Sequence, residues 1–477
     1  MTTWSSKIGS GLRNQLWWLK EVRPEVERYR FLLEGKPNNW RSATDGLPNV
    51  ILLSIDSMGA KHLGSYGYSR PTSPNMDRIA HSGVLFENVI AQSNWTKPAL
   101  ASILTSLYPF VHKTDAQGET GDRVDVDVRD RSHVLDPRFR TMAEDFRDGG
   151  YATAGFSNGG YAHSFFGFGR GFDVYDNEAG GLESCTYRML RWICRNNIIP
   201  FMAWIHAWDV HFPYMDRPPY NRKFVKQRAR IVLNASVRHQ INSGERDLSA
   251  VELEFLRGLY DGAICYVDDL IGLIVRELER LGLSDNTVLV ITADHGEAFM
   301  EHGYIEHTAC LHNEVIRVPL ILSGPTLPRG RRIRSQVRSI DIMPTLLDLC
   351  GLAPKAEVEG TSLLPLIAGA ENNDLVAASE TERGGGQTAF TDGRYKLIHK
   401  HAAGFVQLYE LMQDPDEQCD ISNTHPGICS AMESQVLSWK QQVASCGDRY
   451  WCGHTPGPAI DMQRDLIGRL RDLGYIE

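Results

Sequence analysis

No run of apolar residues in the 477-residue chain approaches the roughly 18–20 needed to cross a bilayer. A membrane-spanning helix is therefore not expected. The first 20 residues include Trp17, Trp18 and Leu19, but lack a continuous apolar core and a small-residue cleavage site. That is not the pattern of a secretory leader. The expectation is an N-terminal helix packed on the main domain of a cytoplasmic protein, with a peripheral membrane contact through Trp17 and Trp18 as the alternative. An excess of basic residues is also missing. A net charge of −9 argues against broad binding to nucleic acid or anionic membranes, although an acidic protein can still hold a basic pocket. No Cys-x-x-Cys pair occurs among the nine cysteines, and their number is odd. Free thiols in a reducing compartment follow most simply. Cys419, Cys429, Cys446 and Cys452 fall close together, but in no common zinc spacing. No internal repeat is evident.

What is present is a series of short apolar runs that end in polar residues. Asn49 to Ile55 stops at Asp56, Thr287 to Ala293 stops at Asp294, and Phe201 to Ile205 stops at His206. Val318 to Leu322 is a fourth run. Runs of this length suit strands buried on both faces. Between them, Tyr260 to Leu281 places Ile264, Val267, Ile271, Ile274, Val275 and Leu278 at helical steps. Strands alternating with helices predict an α/β fold with a large, mostly parallel sheet, and ligands bind such sheets at the carboxyl ends of the strands. Residues 115–136, rich in Asp and Arg, read as a solvated loop, and Arg217 to Ser249 as a polar helical insertion over the site. Asp392-Gly393 between strand-like runs marks a hairpin in a small antiparallel C-terminal part. The expected divisions are 1–47, 48–350 and 351–477.

Three segments carry the chemistry: Ile55-Asp56-Ser57, Trp95-Thr96-Lys97-Pro98 and Ala293-Asp294-His295-Gly296. Two aspartates and a histidine form a ligand set for one divalent ion such as Mn, Zn, Ca or Mg. A hydroxyl beside such an ion ionises more readily, which makes Thr96 a candidate nucleophile. Each element also has a plain structural reading. A strand-ending Asp caps helices, Asp-His-Gly forms turns, and Thr96 can cap a helix that begins at Pro98.

Longer stretches add a resemblance. Asn49 to Ser57, Tyr66-Gly67-Tyr68, Thr72 to Ala80, Leu104-Thr105-Ser106-Leu107-Tyr108-Pro109, Gly167 to Asp173, Tyr266 to Asp269, Arg317 to Leu320 and Leu408 to Leu411 resemble, in order, the sulfatase family of the alkaline phosphatase superfamily. The likeness covers roughly residues 48–425. It implies an alkaline-phosphatase-like large mixed sheet with a smaller C-terminal α/β subdomain. It also implies that Asp56, Asp294 and His295 are metal ligands with Thr96, that Thr96 occupies the nucleophile position, and that His211 and His307 lie against the transferring group. Two departures stand out. Sulfatases carry Cys or Ser, oxidised to formylglycine, in a Cys/Ser-x-Pro-Ser-Arg segment, whereas here Thr96 leads and Leu100 replaces the arginine. Ser57 stands where many sulfatases have a further Asp. A threonine nucleophile resembles phosphate-processing relatives instead.

The expectation is a metal-dependent hydrolase or transferase acting on phosphate-type esters or diesters of a small-molecule, lipid or glycan alcohol, with no nucleic-acid partner. Lys97 and protonated His211 and His307 would hold the transferring oxygens. A sulfuric ester hydrolase using Thr96 directly, or a non-catalytic binding protein on the same scaffold, are the alternatives. Of the remaining polar residues, His206 and Asp209 are assigned to packing, with substrate or a second metal as their other reading. His112 is read as structural, His302 and His312 as exposed or packed, and Asn158 as a possible pocket lining.

Overall fold

The computed structural model describes residues 46–115, 131–178, 180–196, 199–370, 374–452 and 460–461. The expected N-terminal helix with Trp17 and Trp18 lies outside these residues, as does most of the Asp/Arg-rich stretch, 116–130. Sixteen strands are numbered in chain order. Eight form one sheet in the order β11 (Arg331–Arg338), β2 (Val84–Ile90), β10 (Arg317–Ser323), β7 (Thr287–Thr292), β1 (Asn49–Ile55), β6 (Phe201–Ala207), β4 (Ala152–Ser157) and β5 (Val174–Asp176). Only β10 runs against its neighbours; all other pairings are parallel. The apolar runs read from the sequence are β1, β6, β7 and β10. Every residue of β1, β6 and β7 is buried, as a parallel sheet covered on both faces requires.

The long crossover between β6 and β7 includes the helix Ala250–Arg280. It begins earlier than the apolar periodicity indicates because Ser249 and Glu252 form a reciprocal capping box, which satisfies two backbone donors at the helix start. Before it, the polar insertion holds the helix Ala235–Asn242. This helix leans on the small hairpin of β8 (Ala298–Phe299) and β9 (Ile305–Glu306). Asn242 brackets the Ile305 backbone, accepting from its N–H at 2.8 Å and donating to its carbonyl at 3.2 Å. Arg238 pairs with Glu306 at 2.8 Å. The insertion thus braces the segment that leads to His307.

A second, antiparallel sheet runs β12 (Ala377–Thr381), β13 (Gln387–Thr391), β14 (Tyr395–Lys400), β15 (Phe405–Glu410). The expected hairpin turn at Asp392-Gly393 joins β13 to β14, and Gly393 supplies a φ of 92° there. One further ribbon pairs β3 (Arg131–Ser132) with β16 (Ile460–Asp461). None of the nine cysteines is joined in a disulfide. Among the described residues, no helix is long and apolar enough to cross a membrane.

The two sheets are tied by a buried ion pair. Lys396 on β14 donates to Glu417 at 2.6 Å with both side chains fully buried. Glu417 also accepts from the Asn313 backbone N–H at 2.9 Å, at the helical turn Asn313–Ile316 that precedes β10. Removing one partner strands a buried charge. Lys396→Met should therefore cost about 3–5 kcal/mol, read by denaturant unfolding. A loss below about 1 kcal/mol, the range of exposed pairs, would show that water reaches the carboxylate.

Candidate active site

The chemistry-bearing segments meet at the carboxyl edge of the large sheet. Asp56 follows β1 and is locked to the end of β6 by its N–H, which donates to the Ala207 carbonyl at 2.8 Å. Asp294 and His295 follow β7. The turn after β1 is tight: Ser57 adopts a φ of 62°, its carbonyl accepts from the Tyr260 hydroxyl at 2.6 Å, and that hydroxyl accepts from Gly59 N–H at 2.9 Å. Gly296 is required after His295, because a Cβ there would lie 2.4 Å from the Glu314 carbonyl oxygen.

One oxygen of Asp294 accepts two backbone N–H groups, from Ser57 at 3.2 Å and His295 at 2.9 Å. Its other oxygen is buried without a hydrogen-bond partner and lies 3.5 Å from His295 Nε2. His295 Nε2 is also 3.5 Å from Asp56 Oδ1. Thr96 Oγ1 completes the group, 3.3 Å from Asp56 Oδ2 and 3.5 Å from His295 Nε2. Thr96 opens the helix Thr96–Thr105. Its side chain does not cap that helix, so the plain structural reading of Thr-x-Pro is replaced by a hydroxyl aimed at the carboxylates. Ser57 donates its hydroxyl to Asp56 Oδ1 at 2.9 Å, so it supports a carboxylate rather than adding one. Leu100, where the family arginine would be, is fully buried in the core.

Burial works to raise the pKa of both carboxyls, with opposite outcomes. At Asp56 the neighbouring His211, His206 and His295 outweigh burial and hold it well below the ordinary range. At Asp294 burial and the Asp56 charge together push it up to about 8. Two buried carboxylates with one unpartnered oxygen are the donor set of a hard divalent cation. Asp56, Asp294 and His295 present their ligand atoms within 4.8 Å of one another, and Thr96 lies beside them.

His307 and His211 line the same space. The His295 and His307 rings lie 4.2 Å apart and the His307 and His211 rings 5.1 Å apart. His307 Nδ1 meets Glu297 at 3.2 Å, and His211 Nδ1 engages the Phe212 carbonyl. Burial lowers the pKa of both rings. Burial thus works against the protonated forms expected of these two rings, while the Asp56 charge works for them. Lys97 is turned elsewhere. Its ammonium donates to the His133 carbonyl at 3.1 Å, between the rings of Trp95 and Phe166. Burial, with Arg383 acting the same way against Asp115, brings it down to about 7.

The secondary candidates separate cleanly. His206 belongs to the site: its Nδ1 meets Ser54 Oγ at 3.0 Å, while its Nε2 lies 3.5 Å from Asp56 Oδ2 and makes no hydrogen bond. Asp209 does not; it accepts from Leu182 N–H at 2.6 Å and pairs with Arg217 at 2.8 Å. Asn158 is held, in its satisfied amide orientation, by the His206 carbonyl, Gly181 N–H and Trp208 Nε1, so its amide ties these loops together. His112 is structural, between Ser102 and Thr114. His302 and His312 are packed. With Glu314 they form a compact group, but their rings are stacked at 3.7 Å and 4°. Parallel rings direct their in-plane lone pairs side by side, not onto one ion. Sequence reasoning missed Arg383, whose guanidinium lies 3.8 Å over the Trp95 ring; it comes from the second sheet, and no local motif marks it.

The chain belongs to the sulfatase family. The family profile matches residues 48–352, and that of the N-sulphoglucosamine sulphohydrolase C-terminal region matches 300–442. Arylsulfatase K of Mus musculus is 29% identical over 200 residues, a segment that is 39% of this chain and only 36% of that protein. The multifunctional alkaline phosphatase superfamily protein PehA of Trinickia caryophylli is 24% identical over 497 aligned positions, covering 82% of this chain and 95% of that one. The phosphonate monoester hydrolase of Agrobacterium radiobacter superposes with a TM-score of 0.69 at 22% identity, covering 83% of this chain and 96% of that one. The alkaline-phosphatase-like α/β fold with its C-terminal antiparallel sheet is thereby shared.

If Asp56, Asp294, His295 and Thr96 hold one cation, adding Mn²⁺, Zn²⁺, Ca²⁺ or Mg²⁺ to chelator-treated protein should raise its melting temperature in proportion to the logarithm of metal concentration above Kd. Asp294→Asn should weaken that response by at least about tenfold in apparent affinity. An unchanged response in that variant would place the ion elsewhere.

Proposed function

We propose that this protein is a metal-dependent ester hydrolase that transfers a phosphate-type group from an anionic ester to the hydroxyl of Thr96 and then to water. The observation that carries the reading is the convergence of Thr96 Oγ1 on Asp56 and His295 at the sheet edge, with His211 and His307 facing the same space. Membership of a family of ester hydrolases supports it.

Asp56, Asp294, His295 and Thr96 would hold the metal. A bound divalent ion supplies positive charge that offsets the two carboxylates and makes a neighbouring hydroxyl more acidic. The chain's own residues do the rest. Thr96 loses its proton to solvent, and its oxygen attacks phosphorus in line with the leaving oxygen. The new P–O bond forms as the old one breaks, and the electron pair stays on the leaving alcohol's oxygen, which takes a proton. Water then attacks the phosphothreonine and returns Thr96 as the free hydroxyl. His307, with a protonated Glu297 donating to its Nδ1, would give its Nε2 N–H to a non-bridging oxygen, while neutral His211, whose Nδ1–H goes to the Phe212 carbonyl, presents Nε2 as an acceptor. Glu297 beside His307 Nδ1 orients that ring, and Ser54 does the same for His206.

Phosphate-type esters are preferred over sulfate esters for a chemical reason. A formylglycine sulfatase releases sulfate by collapse of a hemiacetal, breaking a C–O bond. A threonine ester has no such exit, so a nucleophile must attack the central atom directly. The transferring phosphoryl group carries more negative charge than a sulfuryl group and gains more from the cation and the donors around it. Sulfatase and N-acetylgalactosamine-6-sulfatase relatives favour the second reading, a sulfuric ester hydrolase, while the phosphonate monoester hydrolase neighbour favours the first.

Thr96→Ala should lower kcat about a thousandfold or more while the fold is kept. A variant with near-native turnover would show that water attacks directly. Matched aryl phosphate, phosphonate, phosphodiester and sulfate esters, assayed side by side across metals, should rank the phosphorus esters first in kcat/KM. A Thr96-dependent excess on the sulfate ester would overturn the phosphate assignment and establish the second reading.

A further inference from the structure

A cavity of about 490 Å³ opens between the helix Pro426–Trp451 and the loop 357–361, above Tyr108, Arg338 and Phe390. Volumes of this order hold small organic molecules. The cavity is remote from the catalytic edge. In its wall, Glu359 N–H donates to the Ser106 carbonyl at 2.9 Å, and Ser106 caps the far end of the 10-residue helix Thr96–Thr105. That length of α-helix, about 15 Å, separates it from Thr96. Both walls are fixed. Arg449 on the helix engages both Glu357 oxygens, one of them at 2.7 Å. Tyr450 donates its hydroxyl to the Glu357 carbonyl, and Trp451 Nε1 donates to the Val111 carbonyl at 2.9 Å.

Its charges do not balance. Arg338 is engaged by Asp341, at 2.7 and 3.1 Å, and Arg449 by Glu357. Glu359 makes no ion pair among the described residues; its Oε2 accepts from the Tyr108 N–H at 2.9 Å. Burial pushes the Glu359 carboxyl up to about 7, although the Tyr108 N–H and the fields of Arg338 and Arg449 act the other way. Three carboxylates stand against two guanidiniums, which leaves one negative charge in a space lined by aromatic rings. Trp439 meets Tyr108 edge-on with centroids 5.1 Å apart, and lies 6.2 Å from Phe390 at a tilt of 57°. A second group is unmet. Trp439 lines the cavity and is nine-tenths buried, and its Nε1 has no hydrogen-bond partner.

A carboxylate among aromatic rings recognises a cation, because ring faces and negative charge both favour it. An indole N–H recognises an oxygen acceptor. A hard metal ion does not suit the place, since it takes several oxygen ligands and only one carboxylate is open. We propose that this cavity binds an organic ammonium that also carries an ether or hydroxyl oxygen. The cation rests on Glu359 among the rings of Tyr108, Trp439 and Phe390, and the oxygen accepts from Trp439 Nε1. The site is separate from the catalytic edge, and the proposal does not depend on the ester-hydrolase reading.

The test is a charge series on one frame: 2-phenoxyethylammonium, neutral 2-phenoxyethanol and anionic phenoxyacetate, titrated into the full chain by calorimetry. The ammonium should bind about tenfold tighter than the alcohol, and the anion more weakly than either. Glu359→Gln keeps an acceptor for the Tyr108 N–H. It should bring the ammonium to within about twofold of the alcohol and leave the alcohol unchanged. Trp439→Phe keeps a ring and removes the N–H, so it should weaken ammonium and alcohol alike by about threefold or more. Val376→Trp, at an exposed position lining the cavity, should block all three. Asp294→Asn should keep the preference for the cation. No such preference in the native chain overturns the proposal, as do affinities unmoved by Trp439→Phe. So does a preference that survives Glu359→Gln or Val376→Trp, or one that disappears in Asp294→Asn, which would place the ammonium at the catalytic edge.

Discussion

Two buried carboxylates at the ends of adjacent parallel strands set the terms for the rest of this structure. Asp56 and Asp294 follow β1 and β7, which are hydrogen-bonded neighbours in register from Asn49↔Thr287 to Ser54↔Thr292. The backbone alone therefore brings the two side chains together. Like charges without water repel strongly, and the surroundings answer in two ways. The hydrogen bonding and field of the histidines around Asp56 favour its ionised form, while Asp294, with an oxygen left unpartnered, is pushed towards its neutral form by burial and the Asp56 charge. Ser57, Gly296 and the Tyr260 hydroxyl fix the turns so that this arrangement cannot relax by moving apart. The same strand ends place His206 and, one loop further, His211.

The nucleophile position is a consequence of β10. Because this strand alone runs antiparallel, β2 regains the common direction, and its carboxyl end delivers Ser93, Asn94, Trp95 and Thr96 to the same edge. The hairpin β8–β9 then returns His307 over His295, braced by Arg238 and Asn242 from the insertion. Each contact is local. Together they make an edge on which residues more than two hundred positions apart share one polar space.

Much of this was legible in the sequence because its signals were local. Apolar runs that stop at a carboxylate give both the strand and the position of Asp56 and Asp294 at its end. Asp-Gly gave the hairpin at Gly393. The start of the long helix was misplaced because the apolar period is silent through its polar first turns, where the capping pair Ser249 and Glu252 decides. The protonation of His211 and His307 could not be read, since it depends on burial that only the assembled loops create. Packing is the role expected of Asp209, and a pocket lining a possible one for Asn158. Here they satisfy the backbone of Leu182 and Gly181 in neighbouring loops. Arg383 was invisible for a different reason: its meaning lies in a stacking contact with a residue almost three hundred positions away.

The replacement of the family's arginine by Leu100 and the appearance of Arg383 bear on one another through what surrounds the nucleophile. An arginine inside the Thr96 helix would place permanent positive charge within the buried region that Leu100 now fills as plain core. Its loss leaves Lys97 as the cation nearest in sequence, and burial brings that group down to about 7, so its charge is weakly held. Arg383 cannot lose its charge in the accessible pH range. It stacks on Trp95, which directly precedes the nucleophile, and its charge acts on His295 and His307. The permanent charge beside the site thus stands in the connection from β12 to β13 and not on the helix that carries the nucleophile. A charge at the nucleophile serves the reacting group of any substrate alike. On this scaffold the charge around the nucleophile comes from both sheets: the large one places the two carboxylates, and the small one brings an arginine to Trp95.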